Sequence, residues 1–131
     1  MTNKVFLFAA TLALAASASA GVPKPAALVG TTWKIVKIDG QPPASPRAEL
    51  RFLTDRISAT AGCNGMGGAW QIRQGKLTGG PFASTMMYCE GLMEQERALG
   101  AVLSGKSSID LKGQRLTLRA LGHSAELVKA G

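Results

Sequence analysis

The sequence predicts a mainly-β domain of the α+β class, built from antiparallel strands with one amphipathic helix. Three observations carry that expectation. Apolar and polar residues alternate in several short segments, and Gly-containing dipeptides separate neighbouring segments too closely for crossover helices. Only one stretch, Glu90 to Ser104, places its apolar residues at the helical spacing of about 3.6. A length of 131 residues, 46% of them hydrophobic, fits one globular domain rather than a disordered tail or a multidomain enzyme.

The first segment precedes that domain. Met1 to Ala20 carries Lys4, then the apolar run Val5 to Ala16, then Ala18-Ser19-Ala20. This is the order of a secretory signal peptide with its small-residue cleavage site, and the apolar run is well short of the ~20 residues that span a bilayer. A periplasmic or secreted location after cleavage near Ala20 is expected. A lipoprotein would need Cys at the position held by Gly21. Cleavage removes Lys4 and no acid, leaving 14 basic against 8 acidic side chains, net +6 over 111 residues. In an oxidising compartment Cys63 and Cys89 are the only intramolecular pair available. A disulfide is expected between them, with two buried free thiols as the alternative.

Gly21 to Ala26, with Pro23 and Pro25, reads as an extended leader, and the folded domain as 27–131. Thr31 to Ile38 is the first strand, with Trp33, Ile35 and Lys37 on one face, and Asp39-Gly40 is its turn. Gln41 to Pro46 holds three prolines and is a loop. Ala48 to Leu53 and Arg56 to Ala61 form a hairpin, with Leu50 and Phe52 facing inward. Gly62 to Gly68 has four glycines in seven residues and demands unusual backbone angles or close chain approach. Ala69 to Arg73 and Lys76 to Thr78 are short strands around Gln74-Gly75. In the helix, Leu92, Leu99, Val102 and Leu103 share a face, with Gly105 just beyond its end. Segments 108–111, 115–119 and 125–128 complete an antiparallel meander.

Leu28-Val29-Gly30-Thr31-Thr32-Trp33, Gly62-Cys63-Asn64 before a Gly-rich turn, Thr85-Met86-Met87-Tyr88-Cys89, a helix bearing Glu96 and a final strand pair occur in that order. Together they resemble the META domain, the family typified by the bacterial heat-shock protein HslJ, over about residues 27–128. The resemblance implies an antiparallel, partly open barrel-like sheet with a packed helix. It also implies an exported or envelope-associated protein linked to stress tolerance or, in some parasites, virulence, with no established catalytic activity. Gly62, Asn64, Gly65, Thr85 and Glu96 are the motif or binding-loop residues it marks. Tyr88 departs from the small residue usual before the second Cys.

Glu96 borders the apolar helix face, so as a half-buried carboxylate it needs a partner, an Arg or backbone donors. Cys63 and Cys89 lack the close spacing of a redox pair and read as a structural bridge. His123 lies in a turn without a matching nucleophile. No paired-carboxylate, phosphate-loop or metal-spacing motif is present, so no enzyme activity, cofactor or metal is expected. Glu94 and Glu96, two apart on a helix, do not face one another. Arg47, Arg51, Arg56, Arg73, Lys76, Arg115 and Arg119 are dispersed over strands as a solvated face, and a concentrated patch among them would suit anionic envelope polymers or lipid headgroups. Export argues against nucleic acid. The expected function is that of a monomeric envelope protein that binds an apolar or anionic ligand. The alternative is a periplasmic protein-binding module, inhibitor or chaperone-like, acting through the loops 62–68 and 41–46. A net charge of +6 argues against a hen-type lysozyme, itself basic, as its target.

Overall fold

The structure is a computed structural model and describes residues 19–131; nearly all of the expected export signal therefore lies outside the described residues. The chain runs α1 (Pro25–Leu28), β1 (Thr32–Ile38), β2 (Glu49–Phe52), β3 (Arg56–Thr60), β4 (Gly65–Arg73), β5 (Lys76–Gly79), β6 (Ala83–Ser84), α2 (Met93–Leu103), β7 (Lys106–Lys112), β8 (Arg115–Ala120) and β9 (His123–Ala130). All pairings are antiparallel, in the order β3-β2-β1-β9-β8-β7-β5-β4-β6, and a further β3–β4 ladder closes eight of these strands into a ring. The two-residue β6 lies beside Met66 and Gly67 of β4. The expected mainly-β barrel with a packed helix is present, and the β3–β4 ladder is what completes it.

Alternation decides which side chains fill the ring. Leu50 and Phe52 from β2, Ile57 and Ala59 from β3, and Leu116 and Leu118 from β8 are buried, while their sequence neighbours are partly or fully exposed. Phe52 and Trp70 meet edge to face at 5.0 Å, and the Trp70 indole N–H donates to the Leu53 carbonyl at 2.8 Å, so its polar atom is not stranded. In β1 the phase changes. A bulge between Ile35 and Lys37 shifts the register against β9, so Ile38 rather than the expected Lys37 follows Trp33 and Ile35 into the core. A simple period of two cannot foresee that slip.

Two other local expectations are revised. Gly21, in the expected extended leader, exchanges N–H···O bonds of 3.1 and 2.7 Å with Leu111, and Pro25–Leu28 forms a helical turn with Leu28 fully buried. Regular backbone bonding thus begins within the leader rather than at residue 27. The Gly-rich stretch is a turn only as far as Asn64, since Gly65 to Gly68 already belong to β4. A Cβ on Gly68 would sit 2.7 Å from the Pro81 carbonyl oxygen, so this glycine admits a neighbouring chain rather than a turn.

α2 begins three residues later than expected, after a turn closed by the Leu92 N–H donating to the Cys89 carbonyl. Glu94 and Glu96 occupy its first turn, where the positive end of the helix dipole favours carboxylates. It contacts β9, β8, β7, β1 and β5. A helix on the outer wall of a barrel reaches two or three strands, so contact with five places α2 across the ring's opening. Leu99, Val102, Leu116, Leu118 and Leu127 are fully buried, so no void large enough for water borders them. The space between helix and sheet is solid.

Candidate functional site

The family-motif residues converge on one buried carboxamide. Asn64 sits at the end of the turn after β3, 1% exposed, and Glu96 faces it from the first turn of α2. The Asn64 main-chain N–H donates to Glu96 Oε1 and its side-chain Nδ2 to Glu96 Oε2, each at 2.8 Å. Nδ2 also donates to the Met87 carbonyl at 2.8 Å. Oδ1 accepts from the Thr85 hydroxyl and from the Met87 N–H, both at 2.8 Å. Two donors and two acceptor sites are all that a carboxamide has, and Asn64 uses every one within the protein.

The surrounding residues extend this knot. Gly65 N–H donates to Thr85 Oγ1 at 3.2 Å, and Thr85 N–H to the Gly65 carbonyl at 3.1 Å. Cys63 and Cys89, on either side, form a disulfide with 5.9 Å between their Cα atoms. Gly62 has φ +120°, and a Cβ there would fall 2.2 Å from that of Ser45, so both conformation and space require glycine. Its carbonyl accepts from Arg47 Nη2 at 2.6 Å. Gly65, by contrast, has open space where a Cβ would stand and an ordinary φ.

Of the motif or binding-loop residues, Asn64, Gly65, Thr85 and Glu96 are bonded to one another, while Gly62 beside them bonds to Thr60 and Arg47. Glu96 finds the amide donors of Asn64 rather than the Arg that was one expected partner. The two loops expected to capture a partner are also engaged internally. Asn64, in the first, is buried. In the second, Ala44 N–H donates to Gln95 Oε1 at 2.7 Å, Gln95 Nε2 donates to the Pro42 carbonyl at 2.9 Å, and Ser45 is buried.

What the knot leaves outside is the connecting loop itself. Met86, Met87 and Tyr88 are 92, 62 and 79% exposed, the largest run of exposed apolar side chains among the described residues. Tyr88 departs from the usual small residue without crowding Cys89 because its ring points away into solvent. In the sequence these three residues form the interior of the Thr85–Cys89 motif, with Tyr88 as its one departure, and carry no expectation of binding of their own. The available signal was three successive large apolar residues in a segment with neither strand nor helix periodicity.

A second polar cluster ties the β1 turn to the start of β9. His123 Nδ1 lies 2.8 Å from Asp39 Oδ2, and Ser124 N–H donates to Asp39 Oδ1 at 2.9 Å. The His123 hydrogen bond, followed by that of Ser124, holds the Asp39 carboxyl below its ordinary value of 3.8. A depressed carboxyl pKa stabilises the fold above the unfolded value, and the benefit disappears as pH falls through the folded value. Asp39→Asn keeps a residue that tolerates the φ of +51° found there. It should cost about 1 kcal/mol or less at neutral pH because the pair is exposed. Thermal melts should show that deficit vanishing as pH is lowered past 3.8; a deficit equal at pH 2 and pH 7 would refute the assignment. The adjoining cleft, lined by Asp39, Glu94, Arg97, Ala98 and His123, offers no hydroxyl or thiol for His123 to activate. Glu94 faces this cleft while Glu96 is turned to Asn64, so the two acids do not converge. Among the described residues no three His, Cys, Asp or Glu side chains group as metal ligands, and no helix is long and apolar enough to cross a membrane.

A closed antiparallel barrel, one helix across its mouth, and a loop bolted down by a disulfide and a saturated carboxamide define a small stapled β-barrel domain. The META domain family model matches residues 26–131, and the chain belongs to that family. One similar solved structure, determined by NMR, is 24% identical, covers 81% of this chain and 94% of its own, and superposes with a TM-score of 0.71. Another NMR structure, of a protein from Burkholderia xenovorans, is 23% identical, covers 82% of this chain and 88% of its own, and has a TM-score of 0.59. Both likenesses are of fold. Comparison with curated proteins returns no match.

Proposed function

We propose that this chain is a non-enzymatic envelope protein of the HslJ-like type, exported by its first twenty residues, that contributes to stress tolerance by holding another protein through the loop Thr85–Cys89. The carrying observation is the contrast within that loop. Met87 is fixed through both its main-chain N–H and its carbonyl, while the side chains of Met86, Met87 and Tyr88 stand 92, 62 and 79% exposed. Met and Tyr are enriched in protein interfaces because each offers large contact area, and a loop already held in place loses little further freedom on binding. Apolar cargo inside the barrel is the weaker alternative, since the helix–sheet interface is solid.

A photo-crosslinking amino acid at position 88 tests this reading in cells. A discrete adduct with a second protein is expected there, absent when the crosslinker is placed at exposed Lys129 and lost in Met86→Ser/Met87→Ser. Those two changes leave the Met87 main-chain bonds intact, so the melting temperature should stay within a few degrees. An adduct containing only this chain, or none, would overturn the proposal.

A further inference from the structure

A second binding feature lies on the outer wall of the barrel, away from the loop. Burial of Leu77 and Ser107 turns Lys76, Thr78 and Lys106 outward, and Arg73 directly opposes Lys76 across the β4–β5 ladder. Thr78 directly opposes Lys106 across the β5–β7 ladder. Residues so paired hold their Cβ atoms about 4.5–5.5 Å apart, and like charges placed opposite one another destabilise a sheet. Three cations on three adjacent strands thus share a small area at an electrostatic cost.

No ion pair among the described residues neutralises it; those present join Lys37 to Glu126, Arg51 to Glu49 and His123 to Asp39. Asp110, on the outward face of β7, is the diagonal neighbour of Lys76, whose direct partner is Ser108, but it forms no ion pair with that lysine and does not line the concavity. Arg73, Gln74, Lys76, Thr78 and Lys106 enclose a cleft of about 410 Å³. A concave site lined by one sign of charge concentrates counter-ions more than a flat face of equal charge does.

We propose that this cleft binds a phosphate group. A phosphate offers three acceptor oxygens and up to two negative charges, so it can engage the Arg73 fork, two ammonium groups and the Thr78 hydroxyl together. A carboxylate, with one charge and two oxygens, would leave two of the three cations unneutralised, against one for a doubly charged phosphate. A soluble phosphate carries this chemistry in full, and the phosphodiester of an anionic phospholipid headgroup carries it in part, with two free oxygens and one charge.

The test titrates the full chain with inorganic phosphate and, separately, with phosphatidylglycerol and phosphatidylcholine vesicles. Lys76→Gln/Lys106→Gln is compared with Lys112→Gln/Arg115→Gln, which removes the same charge from the opposed pair at the far end of β7. The cleft variant should bind at least tenfold more weakly than wild type, the control variant less than threefold, and both should melt no lower than wild type. NMR shifts at Arg73 and Thr78 on adding phosphate would assign a soluble ligand. Binding confined to phosphatidylglycerol vesicles, with the same dependence on Lys76 and Lys106, would assign a headgroup. Equal losses in the two variants would reduce the effect to net charge and overturn the site, as would no binding to either probe.

Discussion

Asn64→Asp is expected to destabilise the protein by about 3–5 kcal/mol, the cost of leaving a buried charge without its partner. The substitution changes one atom's chemistry and almost no volume. The position of Nδ2, which donates to the Met87 carbonyl and to Glu96 Oε2 at 2.8 Å each, becomes an oxygen facing two oxygens. A second carboxylate is also placed beside Glu96 at a site with 1% exposure. Glu96→Gln is the milder companion. Its amide can still accept one bond from Asn64 but presents a donor to the other, so about 1–3 kcal/mol should be lost through one unsatisfied buried group. Thr85→Val, which removes a hydroxyl that donates to Asn64 and accepts from Gly65, should fall at or below the lower end of that range.

Urea unfolding of the three variants checks the order. Against a total stability of about 5–15 kcal/mol for a natural domain, the first variant should lose a large share of its stability while the other two keep most of theirs. If Asn64→Asp stays within about 1 kcal/mol of wild type, the knot does not hold the fold together and Asn64 is released for a role in binding. A stability loss in Glu96→Gln, in turn, explains that residue's burial without invoking catalysis.

Much of this knot could be read from the sequence as membership and little of it as geometry. Leu50, Phe52, Leu99 and Val102 announce their burial because one period holds throughout their elements. Ile38 does not, since the bulge that turns it inward depends on β9, some ninety residues away in the chain. Glu96 was legible as a carboxylate needing a partner because it borders the apolar helix face, whereas the partner's identity depended on how the 62–65 turn meets the start of α2. Asn64 offered only its turn-forming character. Its contacts, 21 to 32 residues distant in sequence, follow from ring closure, which no local pattern encodes. The exposed Met86-Met87-Tyr88 was hidden for the opposite reason: an apolar run suggests burial unless the structure shows that both of its ends are tied down outside the core.

Removing the disulfide, by Cys63→Ala/Cys89→Ala or by reduction, should cost about 3–4 kcal/mol in the loop-entropy description, given the 26-residue separation. That corresponds to a fall of order 10–20 °C in melting temperature for a domain of this size. Yet the loop geometry should survive. Asn64 already joins residues 85 and 87 from its place next to Cys63, so in the native state carboxamide and disulfide close nearly the same loop. Only the disulfide persists when the chain unfolds, so its stabilisation comes chiefly from restricting the unfolded ensemble. Two measurements separate these contributions. The melting temperature of the reduced protein should drop, while the Met87 amide proton should keep its chemical shift and its protection from exchange at temperatures well below that melt. Loss of Met87 protection at constant melting temperature would reverse the assignment and make the disulfide the local clamp. Combining the Cys replacements with Asn64→Asp removes both closures and should give the least stable variant of the set; because adjacent sites couple, a loss different from the sum of about 6–9 kcal/mol measures the interaction between them. Folding of that triple variant to a cooperative melt above about 40 °C would show that the barrel's solid core alone suffices.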